Sequence, residues 1–278
     1  MTAAETSNLL TDNPALYEAR FPDPDHIAAR FVDDVLHAYL PRRLDPRRAQ
    51  TAAVLDLGCG TGRDLGYLAD QGYRCVGLDR STVMVDYARR HYPGVSAALG
   101  DLRDFEVGER FDAVICLDSS LLYCHTDEEL ESCLRCCRAH LHDGGLLVAE
   151  MRNGAFFLGN KELLDGPTHS SVEWEGRIWQ AETTLWIDHA AQLLRRRRNW
   201  HLPDSGEELV QTSAWRLLFP LELGGHLRRA GFEVRAMFDT PGPRAAGGWP
   251  PPSGCDGVAR IGEGAMSGDR MHVIAQAI

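Results

Sequence analysis

The apolar run Ala53 to Leu57 passes directly into Gly58-Cys59-Gly60-Thr61-Gly62 and then into the helical pattern Arg63 to Gln71. Three glycines at alternate positions between a strand and a helix let backbone amides and a helix N-terminus close around a ligand that any side chain would hold away. The same grammar of short apolar run and amphipathic stretch recurs at Cys75 to Leu78, Ala113 to Leu117 and Leu146 to Glu150. Helical patterns lie between them at Thr82 to His91 and from the capping pair Thr126 and Glu129 to about His142, where Asp143-Gly144-Gly145 reads as a turn into the next strand. Such alternation predicts an α/β fold, a mostly parallel sheet covered by helices.

The flanks read differently. Residues 1–50 are polar and helical, with Ile27, Phe31, Val35 and Tyr39 four apart and Pro41 ending the run, and are expected to form a helical N-terminal cap. Residues 51–153 form the predicted core. Residues 154–218 carry period-two stretches at Ser171 to Trp174, Arg177 to Ile187, Gln192 to Leu202 and Glu208 to Leu218, an expected antiparallel β insertion, or lid. Residues 219–278 return to the core sheet with a helix near Leu221 to Ala230 and strands at Phe232 to Phe238 and His272 to Ile278. The Pro- and Gly-rich residues 241–268 read as a mobile loop.

The 278 residues, 44% hydrophobic, are enough for one well-buried domain. A formal net charge of -11 argues against a generic nucleic-acid partner, since phosphate binding needs concentrated positive charge. No apolar run reaches the roughly 18 residues of a membrane span, and Glu5 and Asp12 interrupt any leader-like segment, so no membrane partner and a cytoplasmic location are expected. Cys133 and Cys137 fall on an apolar stripe with Leu130, Leu134 and Leu141 and read as small hydrophobes rather than zinc ligands.

Downstream of the glycine turn, Gly77-Leu78-Asp79 closes the second strand with an acid about 20 residues on, where one carboxylate could accept from both hydroxyls of a ribose. The spacing Gly-x-Gly-x-Gly differs from the Gly-x-Gly-x-x-Gly of dinucleotide folds. With Ser81 and Met84, Gly100-Asp101-Leu102, Phe111-Asp112-Ala113-Val114, and Leu141 with Gly144-Gly145, the segment from about Leu55 to Glu150 resembles the class I S-adenosylmethionine-dependent methyltransferases. The resemblance implies a Rossmann-like, doubly wound, mostly parallel seven-stranded sheet, with S-adenosylmethionine as cofactor and S-adenosylhomocysteine as product. It implies that Asp56, Gly58, Cys59 and Gly60 serve the methionine moiety, Asp79 and Arg80 the ribose end, and Met84, Asp101 and Leu102 the adenine, with Asp118 and Tyr17 also bordering the donor. A carboxylate such as Asp101 can select an amine that would otherwise be buried unpaired. Met84 alone reads equally as core, Asp79 as a helix cap and Asp101 as a turn residue.

The acceptor side is less legible. Asp118-Ser119-Ser120-Leu121-Leu122-Tyr123-Cys124-His125 follows the fourth strand, at the end where parallel sheets place their clefts. It is similar to the corresponding stretch of small-molecule N-methyltransferases of the amino-sugar type, as are the insertion and Leu16-Tyr17-Glu18. That resemblance makes Tyr17, Tyr123 and His125 the catalytic candidates, with a base in doubt because Tyr123 stands where that subgroup has histidine. Plain packing roles for both tyrosines and a cap-side structural role for His125 remain open. No Asp-Asn pair supports a metal beside Asp118. Trp174, Trp179, Trp186, Trp200 and Trp215 read as core of the insertion or as an enclosure for an acceptor. Arg195 to Arg198 alternate faces; two could meet an anionic acceptor, although a solvated strand edge is the simpler reading. The expected reaction is methyl transfer to a nitrogen or oxygen of a small-molecule metabolite or natural product, with room for a homodimer. A donor-binding protein without methylation and an RNA or protein methyltransferase are the alternatives.

Overall fold

The computed structural model describes residues 10–40, 52–245, 248–249, 258, 261–262 and 265–278. Helices α1 (Pro14–Arg20) and α2 (Ile27–Tyr39) precede the sheet. In α2 the four-residue spacing buries Phe31 and Val35 completely, with Ala28, Ala29, Val32 and Leu36 filling the rest of the apolar face. Residues 1–9 and the Pro41 stop lie outside the described residues.

Seven strands, β1 (Ala53–Leu57), β2 (Arg74–Asp79), β3 (Val95–Leu99), β4 (Phe111–Cys116), β5 (Leu141–Arg152), β10 (Phe232–Phe238) and β11 (Arg270–Ala277), form one sheet in the order β10-β11-β5-β4-β1-β2-β3. Only β11 runs against its neighbours. β1 is buried at all five positions, as a strand covered on both faces must be. Helices α3 (Arg63–Asp70), α4 (Thr82–His91), α5 (Asp127–Ala139) and α6 (Pro220–Arg229) carry the crossovers. The chain leaves β1 toward β2 and β3 and returns to β4 on the other side of β1, so a topological switch point opens at the carboxyl ends of β1 and β4.

β6 (Thr168–Trp174), β7 (Arg177–Asp188), β8 (Leu193–Leu202) and β9 (Glu207–Arg216) make a separate antiparallel sheet in chain order. Val172, Trp179, Ala181, Trp200 and Leu202 on one face pack with Leu10 and Leu16 of the N-terminal segment. Arg216, at the end of β9, ties this sheet to the core: its guanidinium donates to Asp127 of α5 and Glu222 of α6.

β3 carries no apolar-run signal, because as an edge strand it alternates buried and exposed positions and ends in the exposed Leu99. Two expectations need correction. α5 stops at Ala139, and β5 begins at Leu141, opposite Phe111; Asp143-Gly144-Gly145 is therefore an irregularity inside the β4–β5 pairing rather than a turn. Arg195 to Arg198 do not form a strand edge, since β8 is paired on both sides by β7 and β9. Within residues 241–268, which are described only in part, Trp249 is buried against Phe31 and donates its indole N–H to Asp34 at 2.7 Å. No helix among the described residues is long and apolar enough to cross a membrane.

Candidate active site

The glycine turn is built by backbone hydrogen bonds across the ends of β1 and β2. The amides of Gly58 and Cys59 donate to the Leu78 carbonyl at 2.8 and 3.0 Å, and Gly60 donates to Asp79 Oδ2 at 2.9 Å. Asp79 Oδ1 accepts from Ser81 at 2.8 Å, so one carboxylate ties the turn to the start of α4. Gly60 has φ +53°, and a Cβ there would meet nothing within 4 Å. Open space beside a left-handed glycine amide is a cradle for a ligand. Beneath it, Asp56 is 4% exposed and its Oδ1 has no partner among the described residues. Burial, with Asp64 and Asp79 close by, pushes its carboxyl well above the usual range. An orphaned buried carboxylate calls for a cation, which the ammonium of an aminoacyl ligand supplies.

α1 clasps this turn. Glu18 accepts from Thr61 Oγ1 at 2.5 Å and pairs with Arg63 at 3.0 Å, while Ser81 Oγ donates to the Thr11 carbonyl at 3.2 Å. One residue earlier, Tyr17 donates its hydroxyl to Asp118 Oδ2 at 3.1 Å, across the switch point. Asp118 and Ser119 take left-handed backbones, φ +47° and +68°, that turn the chain sharply after β4. The turn is secured by Glu150, fully buried in β5, which accepts the Asp118 amide at 2.9 Å. Burial would raise the Glu150 carboxyl, but Arg244 at 2.8 Å and Arg270 at 3.1 Å outweigh it and hold it below the usual range.

Beside this junction lies a cavity of about 550 Å³, bordered by Tyr17, Asp118, Ser119 and Tyr123 from the expected site, by Trp215 and Gln211 of β9, and by a set of arginines. Burial raises both phenols, Tyr17 further because Asp118 faces it, so both stay protonated and act as O–H groups. His125 is not among the lining residues; its Nε2 lies 3.0 Å from the Ala214 carbonyl and its backbone amide donates to Glu129. Met84 is buried in α4, Cys59 is buried under the turn and Arg80 is exposed. Leu102 is half-buried against the core. Asp101 is engaged by Arg103, which donates to both carboxylate oxygens at 2.9 and 2.6 Å and holds the carboxyl below its ordinary range. An adenine amine at Asp101 would have to share those oxygens.

Glu18, Arg63, Glu150, Arg152, Arg244 and Arg270 border or brace this region without having been singled out in the sequence. Glu18 carried a signal within the Leu16-Tyr17-Glu18 stretch, and Glu150 and Arg152 carried one as charges at the end of the apolar run Leu146 to Glu150, where burial demands partners or a ligand.

The seven-stranded sheet with one antiparallel strand, its switch-point cleft and the glycine cradle give the chain the fold of solved S-adenosylmethionine-dependent methyltransferases. Residues 54–145, about a third of the chain, match the family described as Methyltransferase domain, and the antiparallel sheet is set between β5 and α6. Over 113 residues it is 40% identical to the dTDP-3-amino-3,6-dideoxy-alpha-D-glucopyranose N,N-dimethyltransferase of Streptomyces fradiae, covering 41% of this chain and 43% of that protein. The chain spans about half the length of the curated relatives it matches. Among solved structures, an amino pentose methyltransferase from Micromonospora echinaspora involved in calicheamicin biosynthesis superposes with a TM-score of 0.67 at 25% identity, covering 95% of each chain. A sugar N-methyltransferase from Streptoalloteichus shares the fold with a TM-score of 0.70 at 24% identity, over 100% of this chain and 98% of that one.

Proposed function

We propose that the chain binds S-adenosylmethionine across the ends of β1 and β2 and transfers its methyl group to a small-molecule acceptor in the adjoining cavity, most directly a nitrogen of an amino-sugar-like metabolite. One observation carries this reading: α1 joins the two halves, with Glu18 on the glycine turn and Tyr17 on Asp118 at the cavity. The Asp56 carboxylate would take the donor's ammonium, Gly58, Cys59 and Gly60 its aminoacyl backbone, and Asp79 with Arg80 its ribose. Met84, Asp101 and Leu102 would border the adenine. The donor supplies an electrophilic methyl group on a sulfonium.

Displacement from a sulfonium requires an aligned, unprotonated nucleophile rather than a strong base. Burial in the cavity disfavours an ammonium and so favours the amine in its free form. The protonated Tyr17 and Tyr123 orient the acceptor, and Asp118 can accept a hydrogen bond from the methylated ammonium before its proton leaves to water. His125, turned to Ala214, takes no part. The sugar N,N-dimethyltransferase relatives support nitrogen as the acceptor atom and a natural-product setting. The seven described cysteines, all free, suit a reducing cytoplasm.

The test is incubation with S-adenosylmethionine and a panel of amino sugars, free and nucleotide-linked, with S-adenosylhomocysteine as readout. Stoichiometric donor binding with no S-adenosylhomocysteine from any amine or hydroxyl acceptor would overturn methyl transfer and leave a donor-binding protein.

A further inference from the structure

The cavity's charge is at odds with the chain's. In a protein of net charge -11, its lining contains Arg20, Arg63, Arg152, Arg196, Arg244 and Arg270 against only the carboxylates Asp23 and Asp118. Three of the six are neutralised within the protein: Arg63 by Glu18, and Arg244 and Arg270 by Glu150. Arg20, at the end of α1 and over the Phe21 ring at 5.3 Å, forms no ion pair among the described residues, and neither do Arg152, at the end of β5, and Arg196, in the middle of β8. Arg152 and Arg196 are half-buried. Arg196 lies over the Trp215 ring at 4.7 Å, and its buried Nε has no hydrogen-bond partner among the described residues. Burial pulls both guanidinium groups below their usual range, aided by Arg270 at Arg152 and by Arg152 at Arg196, while the carboxylates of Asp269, Asp118 and Glu150 work the other way on Arg152. Two half-buried guanidinium groups that line one cavity, neither in an ion pair of its own and one with an unpartnered buried Nε, favour an anion that both can reach.

We propose that Arg152 and Arg196 form a subsite for an anionic oxygen group, carboxylate or phosphate, of the acceptor. The inference rests on the reading of the cavity as the acceptor site. A guanidinium fork matches either group in bidentate fashion, and Trp215 holds the Arg196 plane in place for it. Because Arg152 belongs to the core sheet and Arg196 to the inserted sheet, an anion held by both clamps the insertion against the core. Binding of the acidic end fixes the acceptor's orientation while its amine faces Asp118 and the donor. Tyr123, beside both groups in the lining, completes the wall. Neighbouring Arg197 points to the opposite face, where it donates to Asn199, and takes no part.

The experiment is calorimetric titration of the full chain, saturated with S-adenosylhomocysteine, with thymidine 5′-diphosphate in one arm and acetate in the other. We expect saturable binding in one arm, which names the source of the anion. Arg152→Gln and Arg196→Met should each weaken it by about tenfold or more, the usual size for losing a hydrogen bond to a charged group. Arg196→Lys should recover part of it and Arg197→Gln should change nothing. Affinity for S-adenosylhomocysteine should be the same in all variants, which shows that they are folded. If the chain binds S-adenosylhomocysteine but neither anion, or if both arginine variants bind the anion as the wild type does, the subsite is overturned and the methyltransferase reading stands. If S-adenosylhomocysteine itself does not bind, the donor-site reading fails first, and the anion titrations repeated on the free chain judge the subsite by the same criteria.

Discussion

At Asp79 one side chain serves two purposes. Its oxygens already accept from Gly60 and Ser81, so they shape the cradle before any ribose arrives. Asp79→Ala should therefore lower both donor affinity and stability, by about 1.5 to 3 kcal/mol for each hydrogen bond lost to the charged group. Calorimetry with S-adenosylhomocysteine and a thermal melt would show both losses; unchanged donor affinity would remove Asp79 from the site. Tyr17→Phe removes only the hydroxyl that reaches Asp118, and turnover should fall several-fold with donor affinity nearly intact. Equal turnover in Tyr17→Phe and wild type would sink its orienting role. Gly60→Ala adds a side chain at φ +53°, where a non-glycine residue costs about 1 to 2 kcal/mol, and places it in the open cradle. Its effect on donor binding should exceed its effect on the melt. At this scale the glycine turn and the acid Asp79 at the end of β2 were legible as structure, because glycine spacing and strand-end acids are local signals. His125 was not, because only the third dimension shows its ring turned to a β9 carbonyl.

Among elements, the crossover of each core helix could be read from periodicity, whereas the attachment of the inserted sheet could not. Arg216 sits at the end of a β-strand in sequence, yet it is 6% exposed and bridges Asp127 and Glu222 from two helices. Asp127 stays largely exposed and Glu222 partly so, and both would be rehydrated, so Arg216→Met should destabilise the protein by about 1 to 3 kcal/mol, the size for losing hydrogen bonds to a charged group. A melt within a degree of wild type would show that the inserted sheet is held by other contacts. The four consecutive arginines show the same limit. Strand alternation predicts two faces, but pairing with both β7 and β9, and the cavity beside Arg196, decide what each face meets. The tryptophans divide likewise: Trp179 and Trp200 fill the core of the insertion, Trp186 is exposed and Trp215 lines the cavity.

For the molecule as a whole, donor binding and protonation should be coupled. Burial holds the Asp56 carboxyl well above its ordinary range, so between that range and its raised value the folded state binds more protons than the unfolded one, and stability falls as pH climbs through the window. Glu150 acts in the opposite sense: held below the ordinary range, it contributes stability above that range that is lost as pH falls through its depressed value. An ammonium placed on Asp56 favours its ionised form, so binding the donor should release protons. Calorimetry of S-adenosylhomocysteine binding in buffers of different ionisation enthalpy would detect the release; identical heats would show that Asp56 is already ionised or lies away from the ammonium. The sequence by itself determined the alternation of strands and helices and the glycine turn after β1, because strand and helix periods and glycine spacing are short-range properties of the chain. Only the tertiary structure decided the acceptor side. Tyr17, Asp118, Arg152, Arg196 and Arg244 stand far apart in the chain, and charge, burial and cavity shape arise only where β5, the inserted sheet and α1 are packed together.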